Sequence, residues 1–319
     1  MLKYRRLALV IAIMALGVFI VGCTQGNNTV EEDTPVQGEM SSEDEGTQVF
    51  SIVDDFGREV TLQKAPERII SLTPSNTEIL YALGLGERIV GVSIFDDYPA
   101  EVLEIEKVGD FNGNNIERII ELEPDLVVIY GEGNEEENFR LDEAGINYVA
   151  FEPESIEAVI GTIEKIGRLT GKVDEAETLI EEMNDHMNEV LSKIEGVKPR
   201  KVFYEIWHEP LMAAGPGSFM DELMTLVGGD NIAKDTEVEY PQFDLEQLIK
   251  LNPEVYLTSV DLPEKTVESI SARPGYENID AIINEEVHLL DPNVVSRPGP
   301  RIIQALELVA KAIHPEIFK

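Results

Sequence analysis

Two acidic side chains, Glu117 and Glu246, stand at the same place in a segment that the chain contains twice. The copies are residues 116–129 and 245–258, and in each a short helical pattern is followed by a proline and an apolar run. This pattern predicts a short helix, a stop and a buried strand. A carboxylate in the first turn of a helix is stabilised by the helix dipole, which by itself accounts for both glutamates.

Aromatic side chains follow several of the predicted strands. They are Phe95, Phe111, Trp207 (the only tryptophan) and Tyr240. Loops at the carboxyl ends of strands are the usual binding positions in open α/β sheets, and aromatic faces suit a large flat ligand. Each of the four, taken alone, is as easily explained as a core residue as a ligand-binding one. Four aromatics at corresponding loops favour a binding surface.

Patterns that carry catalysis are absent from the sequence. The four histidines have no HxxxH or HxH spacing, and there is one cysteine, so a zinc or manganese site has little support. Neither a nucleophile elbow nor a phosphate-binding loop is present. The 62 carboxylates are too many to single out an acid or base. We predict a protein that is not an enzyme, with no catalytic residue, no metal site and no cofactor.

Strands alternate with helices in both halves of the chain, which predicts mostly parallel sheets. A second similarity, between residues 78–84 and 222–228, gives two helix ends closed by glycine. Near the first of these helices, Ser75 and Glu78 have the spacing of a capping box. We predict an α/β fold with two similar lobes and a ligand cleft between them.

A single long helix is predicted to join the lobes. Apolar residues recur at three- and four-residue spacing from Val173 to Ile194, which gives about 23 residues and roughly 35 Å. A coiled-coil seam is the alternative, but it needs sustained heptads and a partner, and the run stops at Gly196. We expect a stiff helix that lies across both lobes.

The amino terminus has the features of an export signal. Three basic residues precede 16 uncharged, mostly apolar residues, fewer than the roughly 20 that a spanning helix needs. Gly22 and Cys23 then resemble a bacterial lipobox, which implies that Cys23 is lipidated; an uncleaved anchor or a buried free cysteine is the alternative. Residues 24–48 are acidic without Lys or Arg and are expected to form a disordered tether.

The predicted organisation has five parts. They are a signal peptide at 1–22, the lipidated cysteine and tether at 23–48, an N-terminal lobe at 49–153, linking helices at 154–197 and a C-terminal lobe at 198–319. The formal net charge of −37 disfavours nucleic-acid binding and attracts a basic partner surface. Adaptation for solubility or salt accounts for most of that charge.

From about Arg68 to Lys319 the chain resembles the cobalamin-type substrate-binding proteins of bacterial ABC importers. In that class one long helix joins two α/β lobes, and ferric-siderophore and haem binders share it. The segments that carry the resemblance are residues 71–78, 97–99, 115–119, 123–127, 214–219, 228–232 and 296–302.

The resemblance implies a monomeric receptor, lipid-anchored on the extracytoplasmic face of the cell membrane (cell surface or periplasm). It would capture a corrinoid, as cargo rather than cofactor, and deliver it to the permease and ATPase of an importer. Glu117 and Glu246 would then pair with permease arginines. The ligand-binding positions would be Pro74, Ser75, Phe95, Phe111, Trp207, Met212, Tyr240 and Arg297. Cobalamin binders often have Trp where Phe111 and Tyr240 stand, and other aromatics are typical where Trp207 and Met212 stand.

Other ligands and functions are open to the same sequence. An anionic siderophore needs several cleft arginines, and Arg297 is the main candidate. Haem needs axial ligands, for which His208 and Met212 are candidates. A hydrolase or metal-dependent lyase on a similar scaffold would need a histidine–carboxylate cluster or a nucleophile with its base. A structural surface lipoprotein would leave the loop aromatics unexplained.

Overall fold

A computed structural model describes residues 49–260 and 262–318. The predicted signal peptide, Cys23 and the tether lie outside the described residues. Two mostly parallel sheets, one in each of two lobes, confirm the predicted α/β class.

The N-terminal lobe contains a six-stranded sheet preceded by a hairpin, β1 (Phe50–Val53) and β2 (Glu59–Leu62). The strands of the sheet are β3 (Ile69–Ser71), β4 (Ile89–Ser93), β5 (Lys107–Asp110), β6 (Gly113–Asn114), β7 (Leu126–Tyr130) and β8 (Tyr148–Phe151). Its helices are α1 (Pro74–Ala82), α2 (Ile116–Glu121) and α3 (Glu135–Glu143). The strand order is β6-β5-β4-β3-β7-β8, with β6 antiparallel. The carboxyl ends of β3 and β7 therefore form a topological switch point, where such sheets bind ligands.

The C-terminal lobe repeats this plan on a smaller scale. Its strands are β9 (Arg200–Trp207), β10 (Met212–Ala213), β11 (Gly229–Asn231), β12 (Val255–Ser259) and β13 (Val287–Leu290). Its helices are α6 (Phe219–Leu226), α7 (Leu245–Leu251), α8 (Val267–Ser271), α9 (Asp280–Ile283), α10 (Pro292–Val295) and α11 (Ile302–Ile313). The strand β9 lies between β12 on one side and β10 and β11 on the other, so the second switch point is at β9 and β12.

The duplicated segment is confirmed in detail. Each copy forms a short helix and then a buried strand: α2 with β7, and α7 with β12. The residues before the two prolines, Glu123 and Asn252, have left-handed φ angles of 47° and 49°. Gly84 and Gly228 close their helices with φ angles of 72° and 78°, as predicted.

Two helices connect the lobes, α4 (Ile156–Thr170) and α5 (Val173–Lys193), with the left-handed Gly171 between them. The predicted long helix is α5, at 21 residues. It packs against α4 on one side and α11 on the other.

One hydrophobic cluster is continuous through both lobes and the linking helices. Because side chains alternate along a strand, each sheet contributes one face to this shared cluster and the other to a cluster of its own. Ile69 and Val202 belong to the shared cluster, whereas the next residues, Ile70 and Phe203, belong to the separate ones. Thus the lobes are joined by packed apolar surface as well as by chain connections.

The predicted capping box of Ser75 and Glu78 is wrong. The helix α1 begins at Pro74 with Thr73 as N-cap, and no side chain makes the capping hydrogen bond. Proline at the first helical position supplies a suitable backbone angle and has no N–H to satisfy. Glu78 is instead buried and binds arginines from the other end of the chain.

Candidate functional site

The first part of the candidate site is an aromatic pair at the edge of the N-terminal lobe. Phe95 follows β4, and Phe111 follows the neighbouring strand β5. Their rings meet edge to face, with centroids 4.5 Å apart and planes at 83°. Phe111 is 85% exposed although it is a large apolar side chain. An apolar ring held at the surface by a second ring offers a flat face to a ligand.

The second part lies at the carboxyl end of β9 in the C-terminal lobe. Trp207 ends that strand and is paired with Met212 across the antiparallel β9–β10 ladder. The segment that carries Tyr240 lies beside β10, because the N–H of Ala213 donates to the carbonyl of Pro241 at 3.0 Å. Trp207 Nε1 donates to the carbonyl of Glu209 at 2.9 Å, which fixes the indole while leaving it half exposed.

Tyr130, which the sequence analysis missed, is a partly exposed aromatic residue of the N-terminal lobe. Burial raises the pKa of Tyr130, and Glu152, Glu154 and Tyr240 raise it further. Burial also raises the pKa of Tyr240, with Glu239 and Glu154 adding to the effect. Tyr130 is the last residue of β7 in the first repeat copy. Its position as an aromatic at a strand end was the signal that could have identified it.

Two cavities lie at this end of the molecule. One, of about 750 Å³, is lined mostly by the β1–β2 turn and by α4 with the residues before it, and Gly217 of the C-terminal lobe completes the lining. The other, of about 610 Å³, lies at the switch point of the second sheet. It is lined by Trp207, His208, Glu209, Leu262, Glu264, Lys265, Ser269 and Arg273.

A buried carboxylate supports the second cavity. Glu205, two residues before Trp207, is fully buried and pairs with Arg273 and with Lys265, the latter at 3.2 Å. Tyr256 donates its hydroxyl to the same carboxylate. Burial opposes ionisation of Glu205, but the hydrogen bonds from Arg273 and Tyr256 outweigh it and lower its pKa. Burial and the adjacent Glu205 raise the pKa of Tyr256 well above its ordinary value. The network fixes the strand end that carries Trp207.

The other ligand positions expected from the resemblance are less open. Pro74 is half buried at the start of α1, and Ser75 is only 4% exposed. Arg297 pairs with Asp97 at 2.6 Å and with Glu78 at 3.2 Å. Its charge is therefore balanced by two carboxylates, which weakens it as a binding group for an anionic ligand.

Glu117 and Glu246 lie on the surface in equivalent helices. The N-caps of these helices are Asn115 and Asp244, which accept hydrogen bonds from the N–H groups of Arg118 at 3.0 Å and Gln247 at 2.7 Å. Capping therefore does not require the two glutamates. Glu117 accepts a hydrogen bond from Arg140 of α3 at 2.6 Å, and this contact lowers its pKa.

Within residues 49–260 and 262–318, no group of three or more His, Cys, Asp or Glu side chains is placed to hold a metal ion. His208 lies in the 610 Å³ cavity, with Nε2 3.7 Å from Glu209. Over the same residues, none of the helices has the length and apolar character needed to cross a membrane.

The sequence profile of a family described as periplasmic binding protein matches residues 69–294. The uncharacterised ABC transporter substrate-binding lipoprotein YvrC of Bacillus subtilis is 34% identical over 318 residues, which is 97% of each chain. The vitamin B12-binding protein of Vibrio cholerae is 31% identical over 244 residues, which covers 76% of this chain and 87% of the relative.

Solved structures have the same architecture. A candidate iron-binding (periplasmic solute-binding) protein of Staphylococcus epidermidis superimposes with a TM-score of 0.70 at 32% identity. The match covers 79% of this chain and 100% of that one. This chain and the S. epidermidis protein therefore share one fold. The chain belongs to the periplasmic binding protein family and is an ABC transporter substrate-binding protein, not an enzyme.

Proposed function

We propose that this protein is a lipid-anchored extracytoplasmic receptor that captures a corrinoid between its lobes and delivers it to the permease of an ABC importer. The observation that carries the ligand assignment is the presence of exposed aromatic side chains on both lobes. Phe95 and Phe111 supply one surface, and Trp207 and Tyr240 supply the other. A corrin ring is large, flat and largely apolar, so stacking area would provide most of the affinity.

The vitamin B12-binding relative supports this ligand class, since its match spans most of both chains. The charge distribution supports it too. The cationic side chain expected in the cleft, Arg297, is neutralised by Glu78 and Asp97, which suits a ligand of low charge better than an anionic chelate.

A ferric siderophore is the second candidate ligand. The observation in its favour is the similarity to the candidate iron-binding protein of S. epidermidis, at 32% identity. In that case Arg273 and Lys265 in the 610 Å³ cavity are the cations nearest to a ligand seated against Trp207. Both already pair with Glu205, so an anionic ligand would have to compete with a buried carboxylate.

Cys23 is the proposed attachment point for lipid, and residues 24–48 the tether. The lipoprotein relative YvrC supports this assignment because its similarity extends over 97% of the chain. The folded part then divides into lobes at 49–153 and 198–319 with linking helices at 154–197. We further propose that Glu117 and Glu246 dock one lobe each onto permease arginines, because charge-assisted pairs fix register and raise association rates.

The experiment that tests the ligand is a binding measurement on residues 24–319, which include every described residue. Phe111→Ala should weaken cyanocobalamin binding about 5- to 150-fold, because it removes a stacking face of about 1–3 kcal/mol. The control is Phe139→Ala, which removes another exposed phenylalanine ring, on α3, that does not belong to the aromatic pair. Equal affinity of the wild type and the Phe111 variant would contradict the proposal.

A further inference from the structure

We propose that Glu78 is a positioning residue that sets the angle between the lobes and holds the Phe95 loop in place, acting through Arg297 and Arg301. The consequence of this lobe geometry for ligand binding rests on the proposed function.

Glu78 belongs to α1 of the N-terminal lobe, whereas both arginines lie just before or at the start of α11, the closing helix of the chain. One carboxylate oxygen, Oε1, accepts from Arg301 Nη2 at 2.6 Å and from Arg297 Nη1 at 3.2 Å. The other, Oε2, accepts from Arg301 Nε at 2.8 Å. The side chains are 2%, 14% and 15% exposed for Glu78, Arg297 and Arg301. A bidentate, largely buried pair of this kind has a fixed geometry.

The same arginines also hold the loop that follows β4. Arg297 donates to Asp97 Oδ1 at 2.6 Å and to the carbonyl of Phe95 at 3.5 Å. The guanidinium of Arg301 lies over the ring of Tyr98, 4.2 Å from its centroid. Three residues of one short loop are therefore bound by side chains from the other end of the chain, and Phe95 carries Phe111 with it through the ring contact.

Backbone packing at this point is equally close. A Cβ atom on Gly299, between the two arginines, would lie 3.3 Å from the carbonyl oxygen of Ser75 on α1. At Gly299 the two segments therefore pack backbone against backbone, without space for a side chain.

The charges explain why Glu78 has the central role. Glu78 and Asp97 together balance the two arginines, and Glu78 is the carboxylate that contacts both. Removing its charge leaves Arg301 in a largely buried site without a carboxylate to pair with, which is far less favourable than removing a complete pair. The relief available to the protein is to separate the segments and admit water.

The test measures the distance between the lobes without ligand. Cys23 is the only cysteine, so residues 24–319 offer a cysteine-free background. Spin labels at Glu143→Cys of α3 and Lys250→Cys of α7, both exposed, report one distance across the lobes by pulsed dipolar spectroscopy. We expect a narrow distribution for the parent and a broadened or shifted one for Glu78→Gln. The control Glu106→Gln removes a carboxylate from the exposed Arg118 pair and should leave the distribution narrow.

Two further variants keep the test decisive. Glu78→Gln with Arg301→Gln removes the pair without leaving a net charge, so it should fold even where Glu78→Gln does not, and its distribution should again be broad. Asp97→Asn weakens one of the three contacts to the Phe95 loop and leaves both pairs of Glu78 in place; it should keep the narrow distance and weaken corrinoid binding several-fold. A parent-like distance in both Glu78 variants would overturn the positioning role. Failure of every protein, including the parent, to bind a corrinoid would overturn the proposed ligand and leave the distance result standing.

Discussion

The rings of Phe95 and Phe111 are in edge-to-face contact, 4.5 Å between centroids, although they belong to loops after two different strands. The adjacency of β4 and β5 in the sheet brings these loops together. Phe95 is in turn fixed by its backbone contact with Arg297. Arg297 of the C-terminal lobe therefore contacts Phe95, and Phe95 contacts the exposed ring of Phe111.

This contact predicts that the two phenylalanines act as a unit in ligand binding. Phe95→Ala should weaken cyanocobalamin binding about as much as Phe111→Ala, because the exposed ring loses its support. The double variant should lose less than the sum of the single losses, with a coupling of about 0.5–1.5 kcal/mol. Titration calorimetry on the four proteins measures it. Additive losses would mean that the rings contact the ligand independently.

The docking assignment predicts a separation of binding from transport. Reversing both charges, with Glu117→Arg and Glu246→Arg, should preserve ligand affinity and abolish uptake, because permease arginines would meet like charges. Labelled-ligand uptake in cells that carry the matching importer measures the effect. Glu177→Arg with Glu181→Arg, on the exposed face of α5, changes net charge equally and should transport normally. Normal uptake by the Glu117 and Glu246 variant would leave both residues with a local role in their helices.

The buried Glu205 network predicts a large loss of stability. Glu205→Gln leaves Arg273 and Lys265 facing a neutral amide, so the free energy of unfolding should fall by about 3 kcal/mol at pH 7. Urea unfolding followed by circular dichroism measures this. Glu106→Gln, in an exposed pair, is the control and should have little effect. A loss of stability as small as that of the control would show that the charge of Glu205 is not needed for the stability of the folded protein.

The same residue predicts a pH dependence with a definite sign. Hydrogen bonds lower the pKa of Glu205 in the folded protein despite its burial, so the unfolded chain binds the proton more tightly. Its contribution to stability is present above the unfolded pKa of about 4.3 and is lost as pH falls through the lower folded value. Wild-type stability should therefore fall more steeply below about pH 4.3 than that of Glu205→Gln. Parallel curves would contradict the assignment.

Glu123 and Asn252, the left-handed residues before the two prolines, should respond in opposite ways when each is replaced by the residue type of the other. Asparagine tolerates this conformation better than glutamate, so Glu123→Asn should stabilise the protein by about 0.5 kcal/mol. The converse change, Asn252→Glu, also removes the hydrogen bond to the N–H of Asp280 and should cost about 1–2 kcal/mol. Thermal unfolding measures both. A stabilising Asn252→Glu would contradict the backbone explanation.

The elements read most reliably from the sequence are those with a strong local pattern. The strand Tyr148–Phe151 is apolar at every position because both faces of a parallel sheet are covered. The helix α5 has a clear amphipathic period. By contrast α3 buries only Leu141, so its acidic sequence has no period to detect.

The site was harder to read because its contacts join distant parts of the chain. Nothing local distinguishes a capping glutamate from Glu78, whose arginine partner Arg301 is 223 residues away in sequence. The spacing to Ser75 favoured a capping box, and Pro74 made it unnecessary. Arg297 has the same difficulty: its sequence context suggests a free cation, and its two carboxylates appear only when the lobes are assembled.

A titration of residues 24–319 with cyanocobalamin, cobinamide, haem and a ferric hydroxamate determines which class of ligand this receptor binds. Fluorescence of Trp207, the only tryptophan, and visible absorbance report binding. We expect saturable one-to-one binding of the corrinoids with quenching of Trp207 fluorescence. Binding of haem or the ferric hydroxamate without any response to corrinoids would contradict it, and would assign this receptor to iron or haem uptake instead.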